Sequence, residues 1–175
     1  MHILRMRQAA IVRRGEHVVS PTSIDLAPGE RATRDCRDDR EAEGLAMMAA
    51  ALARATAGSV LIGEYDPRVQ PVHCKRIAAF VAHDPLPLSR IDAERYIAHR
   101  AALFDLDLER ARAHARLLLE RLRGLHEAFA YPLVGALVAN PRLLVLDRPQ
   151  PASLPDILEA AAGCAILVTQ TQDRA

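Results

Sequence analysis

The sequence predicts an α/β fold: a mostly parallel sheet with flanking helices, antiparallel strands at the N-terminus, and an inserted block of helices. Three observations predict it. The runs RLLVLD (142–147), AILVT (165–169) and IAAFVA (77–82) are of strand length and apolar almost throughout, as expected of parallel strands buried on both faces. Helical patterns separate them, the arrangement that covers such a sheet on both sides. Residues 92–139 are helical in pattern without a break for a strand, so an all-helical unit stands between two strands.

The elements follow in order. Residues 3–12 and 17–26 alternate as short strands, and Arg14-Gly15 is the turn between them. Pro28 and Gly29 in LAPGER mark the next turn. The stretch RATRDCRDDREAE (31–43) is strongly polar and reads as loop. GLAMMAAALARA (44–55) reads as a buried helix, stopped by Gly58, with the strand SVLIG following at 59–63. Two helices follow at 92–104 and 107–123, the second with an apolar stripe of Leu108, Ala111, Ala115, Leu118, Leu119 and Leu122. A further apolar helix spans 127–139, and residues 153–162 form the last helix. With no repeats and no long linker, residues 1–175 read as a single domain: an α/β core from 1–90 and 140–175, and a helical subdomain at 91–139.

Composition narrows the function classes. Half the residues are hydrophobic and only 3% aromatic, so the core is aliphatic. A net charge of +1 gives no general attraction to nucleic acid or membrane. Cys36, Cys74 and Cys164 have neither ligand spacing nor a disulfide pattern, which fits a reducing cytosol. No signal peptide and no membrane-spanning run are expected. Lys75 is the only lysine. No serine stands in a G-x-S-x-G setting. The arginines of the second helix are interleaved with Glu109 and Glu120, which reads as a solvated face.

Several motifs carry a resemblance. NPRLLVLDRP (140–149), with Pro141, Asp147 and Pro149, is similar to the xPxLLLLDEP of one family; Gly29-Glu30 and Gly58 match the two ends of another of its intervals without a gap. RIAAFVAHDPLPL (76–88) resembles the segment leading into that family's glutamine loop, and AILVTQTQD (165–173) resembles its last strand. The family is the ATP-binding domain of ABC transporters, and the resemblance runs from about residue 3 to 173. It implies an ABC-type P-loop NTPase scaffold.

The positions where the resemblance places nucleotide chemistry hold other residues. A phosphate loop needs glycines, a lysine and a hydroxyl, because backbone N–H groups cradle the phosphates. The aligned stretch is CRDDREAE (36–43). Cys36, Asp39 and Glu41 stand at the glycine positions, Ala42 at the lysine and Glu43 at the hydroxyl. Four carboxylates against Arg37 and Arg40 give this stretch a formal charge of −2, the wrong sign for a triphosphate. His83 aligns with the glutamine, Arg123–Glu127 with the signature motif, Arg148 with the catalytic glutamate, and Gln170 with the switch histidine. Asp147 alone keeps its identity.

These substitutions predict a chain without ATPase chemistry, a pseudo-ATPase for which no cofactor and no ATP or magnesium binding is expected. Arg148 is expected to pair with Glu41, Glu43 or Asp147 rather than to act as an arginine finger. Asp147 is expected to accept backbone N–H bonds. Glu43, His83 and Asp147 are a candidate divalent-metal set, since the resemblance brings those positions to one ion. The predicted role is a cytoplasmic interaction or regulatory subunit, at the inner face of a membrane. Its partners would be a membrane subunit of an ABC-type transporter, an active ATP-binding subunit, or a second copy of itself, with no nucleic acid. The alternative is an ATP-binding subunit with weak nucleotide binding that relies on an active partner for hydrolysis; a free-standing scaffold is a third reading.

Overall fold

The computed structural model describes residues 2–84 and 90–171, with the side chains of 90–92, 127 and 128 left aside. The expected segments 76–88 and 165–173 therefore lie partly outside the described residues. Strands β1 (Leu4–Arg13) and β2 (Glu16–Leu26) pair antiparallel across Arg14 and Gly15, as the hairpin signal predicts. Then come β3 (Arg31–Cys36), α1 (Asp39–Ala49), β4 (Ala57–Ile62), α2 (Pro71–Ile77) and β5 (Ala78–Val81). Three helices follow, α3 (Arg90–Leu103), α4 (Leu108–Arg121) and α5 (Glu127–Leu137). A last strand–helix–strand run closes the order: β6 (Leu143–Asp147), a short 3-10 turn at Pro151–Ser153, α6 (Leu154–Ala160) and β7 (Ala165–Thr171).

Among the described residues the strands form two sheets. One is antiparallel in the order β2-β1-β4; the other is parallel in the order β3-β7-β6-β5. Period-two alternation explains why β6 and β7 read as unbroken apolar runs. Leu143, Val145, Ala165 and Leu167 face one hydrophobic cluster, which also holds α1 and the antiparallel sheet. Leu144, Leu146, Ile166 and Val168 face a second, built with α4, α5 and α6. Every residue of β6 is buried. Helix α1 lies between the two sheets, burying Leu45, Ala46, Met48 and Ala49.

The polar stretch 31–43 is not loop. Residues 31–36 are β3 and residues 39–43 open α1. Composition misleads here because β3 is an edge strand, paired on one side to β7, with only Cys36 buried. Such a strand can be polar, which also guards a free edge. The helix expected at 44–55 starts at Asp39 and ends at Ala49, because Ala51 at φ +60° turns the chain out of the helix. Helix α2 was not expected. It is a single short piece with Pro71 at its first turn, too short to carry a periodic pattern.

Gly58 has a close-approach role rather than a simple stop signal. It has φ +71°, and a Cβ there would meet the carbonyl oxygens of Gln8 and Arg7. Gln8 itself stands at φ +44° where β1 shifts register against both neighbours. The bulge in β1 and the bare backbone of β4 thus need each other. Gly58→Ala is expected to cost about 3 kcal/mol or more in urea unfolding, from strain plus overpacking. Gly15→Ala, at φ +83° with nothing within 4 Å, is expected to cost about 1 kcal/mol.

Candidate functional site

The carboxyl ends of β3, β6, β7 and β5 meet the N-terminus of α1 along one edge of the parallel sheet. Open parallel sheets place ligands at such an edge. The residues that occupy it are charged, and two carboxylates organise them.

The first is Glu41, in the opening turn of α1. A helix start leaves backbone N–H groups without partners and favours negative charge. Asp38 caps the helix, its carboxylate accepting from the Glu41 N–H at 2.8 Å. Glu41 reaches back and accepts from the backbone N–H of Arg37 at 2.9 Å and of Ser20 on β2 at 2.8 Å. This is a variant of the capping box, in which Glu41 accepts from the residue before the cap and from a donor on the antiparallel sheet. Glu41 is buried. Burial alone would raise its carboxyl, but the hydrogen bonds from Ser20 and Arg37 outweigh it and hold the group below its ordinary value. The connection between β3 and α1 is therefore two residues, Arg37 and Asp38, and Asp39, Glu41, Ala42 and Glu43 all lie in the first turns of the helix.

The second is Asp147, the last residue of β6, 2% exposed. Arg148 grips it through both oxygens, Nε to Oδ1 and Nη2 to Oδ2, each at 3.0 Å. Consecutive residues of a strand point to opposite faces, so this contact needs a reversal of the chain. Arg148 provides it at φ +45°. Its N–H donates to the Thr169 carbonyl at 2.8 Å, and its carbonyl accepts from His83 Nδ1 at 2.7 Å. These bonds hold a conformation that is uncommon for a side-chain-bearing residue. The remaining guanidinium nitrogen reaches Asp39 on α1 at 2.9 Å. The Thr169 hydroxyl donates to Asp147 Oδ1 at 3.1 Å. The bonds to Asp147, and then to Asp39, raise the Arg148 pKa further above its already high value.

Arg148 pairs with Asp147 as expected, and with Asp39 instead of Glu41 or Glu43. The reason is direction: Glu41 turns toward β2, and Glu43 is exposed on the side of α1 that faces β1 and β2. Asp147 takes the guanidinium and a hydroxyl in place of the expected backbone N–H groups. Glu43, His83 and Asp147 do not converge. His83 Nδ1 bonds the Arg148 carbonyl, Glu43 is on another face, and among the described residues no cluster of His, Cys, Asp and Glu could hold a metal ion. Cys36 ends β3 beside the site; burial, then the neighbouring Glu41, pushes its thiol up to about 11, so it stays protonated at neutral pH. Ala42 is fully buried. Gln170 donates to Asp35 at 2.6 Å across the β3–β7 pair. Arg123 and its neighbours lie between α4 and α5, away from this edge in sequence, and the Glu127 side chain lies outside the described residues.

Sequence reasoning missed Asp38, Ser20 and Thr169. Asp38 and Glu41 have the D-x-x-E spacing of a capping box, which was legible. Ser20 acts through its backbone and Thr169 through its register opposite Asp147, and neither has a local signal.

This fold is that of the ATP-binding domain of ABC transporters. An ATP-binding subunit of an ABC transporter superposes on 97% of this chain and 79% of its own, with a TM-score of 0.79 and 17% identity. CbiO1 from Clostridium perfringens, part of the ABC transporter complex CbiONQ, covers 98% of this chain and 79% of its own, with a TM-score of 0.73 and 15% identity. No family model matches the chain, and its sequence matches no curated protein.

Arg148→Ala is expected to cost about 3–5 kcal/mol in urea unfolding, because it strands a buried carboxylate. Asp39→Asn, whose side chain is 74% exposed, is expected to cost less than about 1 kcal/mol. Glu41→Gln is expected to cost about 1–3 kcal/mol at neutral pH by weakening charged hydrogen bonds to buried donors. A carboxyl depressed in the folded state stabilises above its unfolded pKa and loses that contribution on acidification. The gap between wild type and Glu41→Gln is therefore expected to be full above the ordinary value of 4.5 and to close below it.

Proposed function

We propose that the chain is a non-catalytic subunit on an ABC-type scaffold, a pseudo-ATPase that acts by binding other proteins. The observation that carries this reading is the internal carboxylate at the start of α1. Glu41 already accepts from the backbone N–H groups of Ser20 and Arg37. A two-residue turn leaves no room for a glycine-rich cradle, and Asp38 and Asp39 add negative charge where a triphosphate would need the opposite. Arg148, in place of a carboxylate that could activate water, is locked between Asp147 and Asp39. The one lysine, Lys75, is on α2. These residues do not suit a magnesium-bound nucleotide, and no hydrolytic step is derived from them.

The partners are a membrane subunit of an ABC-type transporter, an active ATP-binding subunit, or a second copy of the chain. CbiO1, similar in fold, is part of a transporter complex. The helical block supports a docked partner: Leu103, Leu108 and Leu117 are 58%, 37% and 56% exposed there. Docking would use these helices, 92–126, together with the loop at His83, which continues into 85–89, outside the described residues. Among the described residues no helix is long and apolar enough to cross a membrane, and a site at the cytoplasmic face of a membrane suits such a subunit.

Calorimetric titration with Mg-ATP and with ADP tests this reading. No saturable heat up to about millimolar nucleotide is expected, a bound of roughly −4 kcal/mol. Saturable binding near micromolar would overturn it and bring forward the subunit that binds nucleotide weakly and borrows hydrolysis from a partner.

A further inference from the structure

A concavity lies on the flank of α1 that faces the hairpin, away from the Arg148 edge. It has a volume of about 540 Å³ and lies between α1, the β1–β2 hairpin and the chain that leaves α1. Its apolar lining is Ile11, Val18, Met47 and Leu52. Leu52 is 47% exposed, left in solvent by the turn at Ala51. Arg13, Arg40 and Arg54 also line it, against one carboxylate, Glu43. Among the described residues none of these three guanidiniums has a hydrogen-bonded or ion-paired carboxylate. Arg5, Arg7, Arg37 and Arg68 each have one, whereas Arg14, Arg34 and Arg76, like these three, have none among the described residues. An apolar surface under three uncompensated guanidiniums is a recognisable chemistry. It favours a ligand with an anionic group and an apolar body, since guanidinium forks match carboxylate and phosphate oxygens.

We propose that this concavity binds an amphipathic organic anion, a carboxylate or phosphate carried on an aliphatic chain. The anionic group sits among Arg13, Arg40 and Arg54, and the chain lies along Met47, Leu52 and Ile11. No residue of the Asp147–Arg148 cluster takes part, so the proposal is independent of the reading that the chain lacks nucleotide chemistry. The anion can be free in solution or the headgroup of a lipid.

Titration of the full chain with octyl phosphate and octanoate, with octanol as the uncharged control, tests it. Saturable binding of both anions is expected, with octanol at least tenfold weaker. Arg13→Gln/Arg40→Gln/Arg54→Gln should weaken the anions at least tenfold, and Leu52→Asp should do the same from the apolar side. All four positions are exposed, and matching thermal melts would verify that the variants remain folded. Flotation with phosphatidylglycerol vesicles separates the sources: anions and vesicles binding through the same arginines identifies a lipid, and soluble anions alone identifies a free ligand. No saturable binding, equal binding of octanol, binding to vesicles only, or indifference to the arginine substitutions would each overturn the proposal.

Discussion

Burial of one carboxylate organises the charged edge of the parallel sheet. Asp147 ends the fully buried strand β6, where an unpaired negative charge would cost several kcal/mol. The requirement propagates outward. The cation must come from close by, so Arg148 turns through a left-handed conformation to reach back over its own neighbour. That turn must be held, so Thr169 and His83 bind the Arg148 backbone from β7 and from the chain after β5. The free side of the guanidinium then ties β6 to α1 through Asp39. One buried charge thus engages β6, β7, α1 and the chain that leaves β5.

Helix α1 is the other common element. It packs against the antiparallel sheet on one side and the parallel sheet on the other, so its placement sets the distance between them. Asp38 and Glu41 determine where it begins, and the Glu41 carboxylate joins that beginning to β2 through the Ser20 N–H. A helix N-terminus is the natural seat of an exogenous anion. Here the chain supplies its own, and a solvent anion would have to displace a tethered one.

The two flanks of α1 differ in electrostatic character. Toward the sheet edge, one guanidinium bridges two carboxylates in a closed network. Toward the hairpin, three guanidiniums and Glu43 line an apolar concavity, and among the described residues none of the three is ion-paired. Fold likeness to ATP-binding subunits describes the scaffold; function resides in what the side chains on that scaffold can bind. A saturated network has little left to offer a ligand, whereas an unsaturated one does.

Sequence alone determined the elements whose partners are generic. The apolar runs of β5, β6 and β7 require burial on both faces whatever covers them. Arg14-Gly15 closes a hairpin by local backbone preference, and the spacing in α4 puts Ala111, Ala115 and Leu118 on one buried face. The charge sign of the stretch 36–43 was equally legible. Tertiary structure decided what depends on a particular neighbour. Residues 31–36 are strand only because β7 is beside them. Glu41 binds Ser20 and Arg148 selects Asp39, because the direction in which each side chain leaves its helix or strand is set by packing. Glu43 and Asp147 are separated by the body of α1, a distance that spacing along the chain does not encode. Local preferences act within a few residues and are written in order. Pairing of charges across elements depends on register and orientation, which exist only once the chain has folded.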